Sequence, residues 1–187
     1  MTKLEAVNQM LSGIGESPIN SLFQGTSADA RIAVQILDEV DRAVQLMGWH
    51  FNTEKDFPLS RDINNNINLS ANVVRVDVDN EFYPGVDVVQ RGSKLYDKKN
   101  HTFQFTQDLK GEIIVLLSFE ELPEPARYYI TTRASRIFQD RVVGSGDAAR
   151  SLLNDEIQAL TLLKEFDHDT GDHSVFDNYD VARIIFR

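Results

Sequence analysis

The spacing of apolar residues divides the chain into two helical parts that flank a part with the pattern of β-strands. Apolar residues recur every three to four positions over 4–14 and again over 32–47, as on the buried face of an amphipathic helix. Ser27 is suited to cap the second helix and Gly48 to end it. The pattern therefore predicts two helices within residues 1–48.

Between residues 49 and 119 the hydrophobic period drops to two. Valines alternate with charged residues over 74–78, as on a strand with one face in water. A Pro-Gly pair at 84–85 and similar turn-forming clusters separate short apolar runs, which indicates antiparallel hairpins. The continuous apolar run at 113–117 predicts a central strand that is buried on both faces.

The helical period returns after residue 120. Pro123 and Pro125 are tolerated only before a helix or in its first turn, so they mark the start of a third helix. A fourth helix follows Gly146. We expect its inward face to carry Leu153, Ile157, Leu160 and Leu163.

This order predicts an α+β fold, in which a four-helix frame carries an inserted antiparallel β domain and a C-terminal arm. The frame is one discontinuous domain of residues 1–48 and 120–166, and the β domain covers 49–119. Residues 167–187 form a C-terminal tail, polar at first and then aromatic and aliphatic without a clear period. Such a segment cannot bury itself locally, so we expect it to lie against a partner.

Composition and charge exclude several classes of protein. The chain has 29 acidic and 19 basic side chains and a net charge of −10, which argues against binding nucleic acid by neutralising phosphates. Residues 49–119 contribute only −2 of that charge, so most of it lies in the helices and tail. The absence of cysteine excludes disulfides, thiolate metal sites and cysteine nucleophiles.

The first residues lack the basic flank and apolar run of a signal peptide. No apolar run approaches the ~18 residues of a membrane span. We therefore expect a protein that is made in the cytoplasm and does not enter a membrane.

One polar cluster has the residue types of a metal site. It consists of Asp167, His168, Asp169, Asp172 and His173. The spacing fits neither the two-histidine zinc helix nor an EF-hand loop, so a solvated acidic linker is the preferred interpretation. We predict no metal and no cofactor.

Three acidic residues, Asp77, Asp79 and Glu81, are expected to share one face of a strand. A suitably spaced pair of carboxylates could hydrolyse glycosidic bonds, although the wet face of a sheet explains them as well. The sequence has no nucleophile elbow, phosphate loop or dinucleotide fingerprint. We therefore predict no catalytic residue and no enzyme.

Four arginines lie on the predicted third helix, away from its apolar stripe: Arg127, Arg133, Arg136 and Arg141. Arginine is enriched at interfaces because its planar guanidinium pairs bidentately with carboxylates. In an oligomer, the acidic helices of an adjacent copy would supply those carboxylates. The four arginines are thus candidate inter-subunit contacts; the alternative is a solvated face that balances acidic neighbours.

Two stretches of the frame carry ordered motifs. The first has AVN at 6–8, IGESPI at 14–19, ADA at 28–30 and GWHFN at 48–52. The second has ELPEP at 121–125, RYYI at 127–130 and RASR at 133–136. In this order and spacing they resemble the tail tubular protein A family of short-tailed bacteriophages.

The resemblance implies a structural virion protein, the head-to-tail adaptor. Such proteins form a closed ring of twelve copies that joins the portal protein to the tail nozzle protein, which is of the tail tubular protein B type. Double-stranded DNA would pass through the lumen without sequence-specific binding, during genome retention and ejection. The implied location is the neck or tail of the virion, after synthesis in the host cytoplasm.

The aromatic and aliphatic residues of the tail are then a candidate docking arm against the portal or a neighbouring copy: Phe176, Tyr179, Ile184, Ile185 and Phe186. Two other functions stay open. One is a tail-associated hydrolase acting on bacterial surface polysaccharide through carboxylates such as Asp77 and Glu81. The other is an adaptor or head-completion protein of a long-tailed phage.

Overall fold

The computed structural model describes residues 1–23, 27–144 and 146–171. Two compact units divide the chain. The helical unit comprises residues 1–40 and the described residues from 122 onward, and the β unit comprises residues 41–121. Over the described residues, four helices and antiparallel strands confirm the predicted α+β class.

The first helix, α1, spans Lys3–Gly13 and begins with a capping box. The Thr2 hydroxyl accepts a hydrogen bond from the Glu5 amide at 3.2 Å, and Glu5 Oε2 accepts one from the Thr2 amide at 2.7 Å. These bonds satisfy backbone donors that the first turn of a helix leaves unpaired. The buried face of α1 carries Ala6, Val7, Met10 and Leu11.

The second helix, α2, spans Ala28–Gln45. Ser27 caps it as predicted, because its Oγ accepts a hydrogen bond from the Ala30 amide at 3.2 Å. Both ends of the predicted apolar stripe are wrong, since Ile32 and Met47 are exposed. The middle of the stripe is confirmed, because the buried face carries Ala30, Ala33, Ile36, Leu37, Val40 and Val44.

The third helix, α3, spans Glu124–Val142 and contacts both α1 and the fourth helix, α4. Helix α4 spans Gly146–Thr170. The predicted tail of residues 167–187 therefore starts too early, because charged side chains on an exposed helix face do not stop a helix. Within the described ranges, no helix combines the length and apolar character needed to cross a bilayer.

The predicted inward face of α4 is partly wrong. Leu163 is buried as expected, but Leu153 and Ile157 are 47% and 55% exposed. Ala159 and Glu156 lie on the inward side instead, with Ala159 fully buried. A glutamate can take an inward position here because arginines of α3 pair with it, and no apolar pattern reveals such a pairing.

The β unit contains a three-stranded antiparallel sheet and a two-stranded hairpin. The sheet has the order β1-β5-β2, and its strands are β1 (Thr53–Leu59), β2 (Val73–Asp77) and β5 (Leu109–Val115). The hairpin pairs β3 (Val88–Arg91) with β4 (Lys94–Asp97). The central place of β5 confirms the prediction from its apolar run.

One glycine allows the backbones of β5 and β2 to approach closely. A Cβ atom added to Gly111 would lie 2.3 Å from the carbonyl oxygen of Asp77. Glycine is required wherever one backbone passes so near another. The apolar core around it consists of Leu59, Ile67, Leu69, Val73, Val78, Leu95, Phe105, Leu109, Ile113 and Val115.

Two buried amide side chains join the last turn of α2 to the sheet inside the β unit. Gln45 Nε2 donates to the Leu117 carbonyl at 3.0 Å, and Gln45 Oε1 accepts from the Leu117 amide at 2.8 Å. Asn52 Nδ2 donates to the carbonyls of Gln45 and Val115 at 2.9 and 3.1 Å. Buried side-chain amides of this kind fix a unique connection, because each would lose its backbone partners if the elements separated.

Candidate assembly surfaces

Arg133 and Arg136 of α3 meet Glu156 of α4 in a half-buried cluster. Arg136 Nε donates to Glu156 Oε2, and Arg133 Nε lies 3.7 Å from Glu156 Oε1. The Arg136 guanidinium also pairs with Asp140 at 3.4 Å. Its hydrogen bond to Glu156 holds the pKa of Arg136 above the usual value, although burial opposes this. The cluster joins α3 and α4 within one chain.

The other two arginines also have partners within the chain. Arg127 Nη2 lies 2.9 Å from Glu124 Oε2, and its Nη1 donates to the Met1 carbonyl at 2.8 Å. Arg141 Nη1 pairs with Glu39 Oε2 at 3.3 Å, and the Arg141 side chain is 56% exposed. Arg141 is therefore the most accessible of the four arginines. Contact between subunits stays a prediction for all of them.

The pair of helices α3 and α4 exposes several large apolar side chains. They are Val142 and Val143 at the end of α3 and Leu153, Ile157 and Leu162 on α4. Single exposed apolar residues are normal. Leu153 and Ile157 lie one turn apart on the same face of α4, so these two are the candidate apolar contact.

A groove of about 710 Å³ opens on the β unit. Its lining includes Lys55, Asp56, Asp77, Asp79, Phe82 and Lys110. Asp56 lies at an irregularity of the β1–β5 pairing and has a φ of +55°. A positive φ is uncommon for a residue other than glycine and occurs mainly at turns and functional sites. Phe82 is 78% exposed at this groove.

The predicted row of three carboxylates on one strand face is wrong. Strand β2 ends at Asp77, and Asp79 and Glu81 lie in the turn that follows. Asp79 Oδ1 accepts a hydrogen bond from the Glu81 amide at 2.7 Å, an interaction by which aspartate favours turns over strands. Asp77 and Asp79 belong to the lining of the groove.

The loop after β1 presents one isoleucine to solvent. Ile63 is 98% exposed at the tip of this loop. The Asp62 carboxylate beside it accepts hydrogen bonds from the amides of Asn64 and Asn66 at 2.8 and 2.9 Å and from Asn68 Nδ2 at 2.9 Å. These bonds lower the pKa of Asp62, and the bond from the Asn66 amide has the largest effect.

The apolar periodicity of the sequence does not single out Ile63 or Phe82 as exposed residues. The available signal was the isolated position of Ile63, a single apolar residue between an aspartate and a run of asparagines. Phe82 has no such signal, since Tyr83 follows it directly.

Two other predicted sites fall at the end of the chain. Asp167, His168 and Asp169 lie in the last turn of α4, whereas Asp172 and His173 are outside the described residues. In the part of the chain that the structure describes, no group of three or more acidic or histidine side chains could hold a metal ion. The predicted docking arm also lies outside the described residues, and it consists of Phe176, Tyr179, Ile184, Ile185 and Phe186.

Comparison with known proteins gives one informative result. The model of a family described as "Tube: Tail tubular protein" matches residues 4–173. The matched region includes all five strands and three complete helices, so it extends over both units. No curated protein matches the chain.

Proposed function

The chain belongs to the tail tubular protein family and is a structural protein of a phage tail, and on this premise we propose that its copies form the ring joining portal to tail nozzle. The observation that carries the proposal is the extent of the family match, which takes in the helical unit and the β unit together. The proposed ring is closed and contains twelve copies, as the resemblance in the helical frame implies.

A closed ring needs two different contact faces on each subunit, because each copy meets its neighbours with opposite sides. The helical unit offers candidates for such contacts in the apolar side chains on α3 and α4 and in Arg141. We assign the four predicted arginines to this role as a set, with Arg141 as the most accessible member.

The net charge of −10 suits a ring through which DNA passes. A negatively charged lumen repels phosphates, so double-stranded DNA can slide during retention and ejection without being held. A ring of positive charge would instead bind DNA along its backbone.

Each unit has a proposed partner. The helical unit contacts the portal and neighbouring copies, and the β unit faces the nozzle protein. The aromatic and aliphatic residues between Phe176 and Phe186 act as the docking arm against the portal or a neighbour.

The test is the mass of the purified protein in solution, measured by light scattering alone and after mixing with the portal protein. We expect a twelve-copy ring with a central hole in the mixture, visible by electron microscopy. A strict monomer in both samples would contradict the proposal. Identification of a tail tube rather than a nozzle beneath the ring would favour the adaptor of a long-tailed phage.

Hydrolysis of bacterial surface polysaccharide is a second candidate function. One observation favours it, namely that Asp77 and Asp79 line a groove large enough for a small ligand. A reducing-sugar assay with the wild-type protein and the Asp77→Asn variant tests it. Sugar release that the substitution abolishes would support the enzyme.

A further inference from the structure

Helix α4 carries an exposed stripe without acidic residues. Its members follow one another at steps of three or four positions and so lie on one side of the helix: Leu153, Ile157, Thr161, Lys164 and His168. All five side chains are exposed. Leu153 and Ile157 form the apolar end of this α4 stripe. It therefore differs from a fully solvated helix face, which is polar throughout.

The polar end of the α4 stripe leads to the C-terminal segment. A shallow hollow of about 390 Å³ opens there, between Thr161 and Asp169. Helix α4 ends at Thr170, and residues 172–187 continue the chain. A segment that turns back after the helix therefore passes the hollow first and then meets the apolar end of the stripe.

The length of this segment matches the length of the stripe. Each residue of an α-helix rises by about 1.5 Å, so Ile157 lies about 20 Å before the end of α4. Ile184 follows that end by a similar number of residues, which span about 21 Å as a helix and more when extended. The apolar run at 184–186 can therefore reach the apolar end of the stripe in either conformation.

The charge of the last residues also suits α4. Helix α4 contains six acidic and two basic residues. Residues 181–187 read VARIIFR, with two arginines and no acidic side chain. The three aspartates of the segment all come earlier, where Lys164 lies on the stripe. Attraction of the arginines to an acidic helix and burial of apolar side chains thus favour the same contact.

We infer that, in a subunit without partners, residues 175–186 fold back and cover the α4 stripe of their own chain. The tether favours this occupant over a second copy. A segment joined to α4 by a few residues is present near the stripe at an effective concentration in the millimolar range, above that of other subunits in dilute solution. The inference goes beyond the proposed ring, because it gives the docking arm a binding site on its own subunit, from which the portal or a neighbouring copy displaces it.

Disulfide trapping within one subunit tests this contact, because the chain has no cysteine of its own. The full-length double variant Ile157→Cys, Ile184→Cys is mildly oxidised in dilute solution without portal. We expect a disulfide within the monomer, identified by mass spectrometry of the joined peptides. The matched control, Leu162→Cys with Ile184→Cys, places its first thiol at a similarly exposed position of α4, off the stripe and nearer to the segment. The control should form its disulfide about tenfold more slowly.

A second measurement does not depend on thiol geometry. Trypsin cleaves after Arg183, and a segment bound to the stripe presents this bond less often than an unbound one. Ile157→Asp should therefore raise the rate of cleavage after Arg183 by about threefold or more, measured by mass spectrometry. Leu162→Asp should be cleaved as the wild type is. The helical circular dichroism should not change in either variant, because both side chains are exposed.

Equal rates of disulfide formation at Ile157 and Leu162, or unchanged cleavage of Ile157→Asp, would overturn the inference. Cross-links that form only between copies and increase with concentration would also overturn it, because the stripe would then bind the segment of another subunit. All these measurements use the subunit without portal. Absence of rings after mixing with the portal would count against the proposed function alone.

Discussion

The helical unit and the β unit use their acidic side chains in different ways. In the helical unit, Glu156 and Glu39 pair with arginines on other helices, so charge connects elements that are distant in the sequence. In the β unit, Asp62 and Asp97 accept hydrogen bonds mainly from the backbone of their own loops. In the helical unit these carboxylates therefore join separate helices, whereas in the β unit Asp62 and Asp97 hold the conformation of individual loops.

The largest effect should come from removing a packed side chain of the helical unit. Phe138 on α3 is fully buried, and Phe138→Ala should lower the free energy of unfolding by about 4 kcal/mol. Urea denaturation followed by circular dichroism measures it. Phe23→Ala, at an exposed phenylalanine, is the control and should change little. Equal losses of stability in the two variants would show that the stability of the helical unit does not depend on the packing of Phe138.

The second-largest loss of stability is expected in the β unit. Gly111→Ala places a methyl group against the Asp77 carbonyl and should lower the free energy of unfolding by about 3 kcal/mol. Trp49, the single tryptophan, lies in the β unit, so its fluorescence reports this transition. Gly85→Ala is the control, because an added Cβ there meets nothing within 4 Å. It should leave the free energy of unfolding unchanged.

A buried carboxylate tests whether loops of the β unit are held by their own hydrogen bonds. Asp97 accepts bonds from the amides of Asp87, Lys99 and Asn100 and from Asn100 Nδ2. An amide in its place cannot accept them all, so Asp97→Asn should cost about 2 kcal/mol at neutral pH. Tryptophan fluorescence measures the loss. Asp87→Asn, at an exposed carboxylate, is the control.

The same variant has a defined pH dependence. Burial raises the pKa of Asp97, but the hydrogen bonds from Asn100, Asp87 and Lys99 outweigh it and lower the pKa. A lowered pKa in the folded state means that the ionised form stabilises the fold above about pH 4 and loses this effect as the pH falls. The difference in stability between wild type and Asp97→Asn should therefore shrink below pH 4. A constant difference would show that the charge of Asp97 is irrelevant.

A smaller effect should follow from breaking the cluster between α3 and α4. Glu156→Gln removes the charge that attracts Arg133 and weakens the hydrogen bond from Arg136, so it should cost about 1 kcal/mol, measured by circular dichroism in urea. Asp140→Asn is the matched control, because Asp140 meets Arg136 at the more exposed side. If both variants lose the same amount of stability, the burial of Glu156 does not strengthen its pairing with the arginines.

The sequence predicts most of this fold but only part of its surfaces. Apolar spacing predicts the order of helices and strands, the Ser27 cap and the central place of β5, since each depends on residues near in the chain. The inward face of α4 depends on Glu156 meeting arginines of another helix, and no local pattern records that. The exposure of Ile63 likewise depends on hydrogen bonds from several parts of the β unit.

The smallest effect on stability should occur at Arg141, and this is why it can separate two roles of arginine. Exposed ion pairs contribute little, so Arg141→Ala should leave urea denaturation unchanged despite its contact with Glu39. If Arg141 contacts a neighbouring copy, the same substitution should weaken ring formation with the portal, measured by light scattering. Arg127→Ala is the comparison variant. Arg127 is half-buried beside Glu124, so its substitution should lower the free energy of unfolding more than Arg141→Ala does. If Arg141→Ala assembles as the wild type does, Arg141 pairs only within its own chain and does not contact a neighbouring copy.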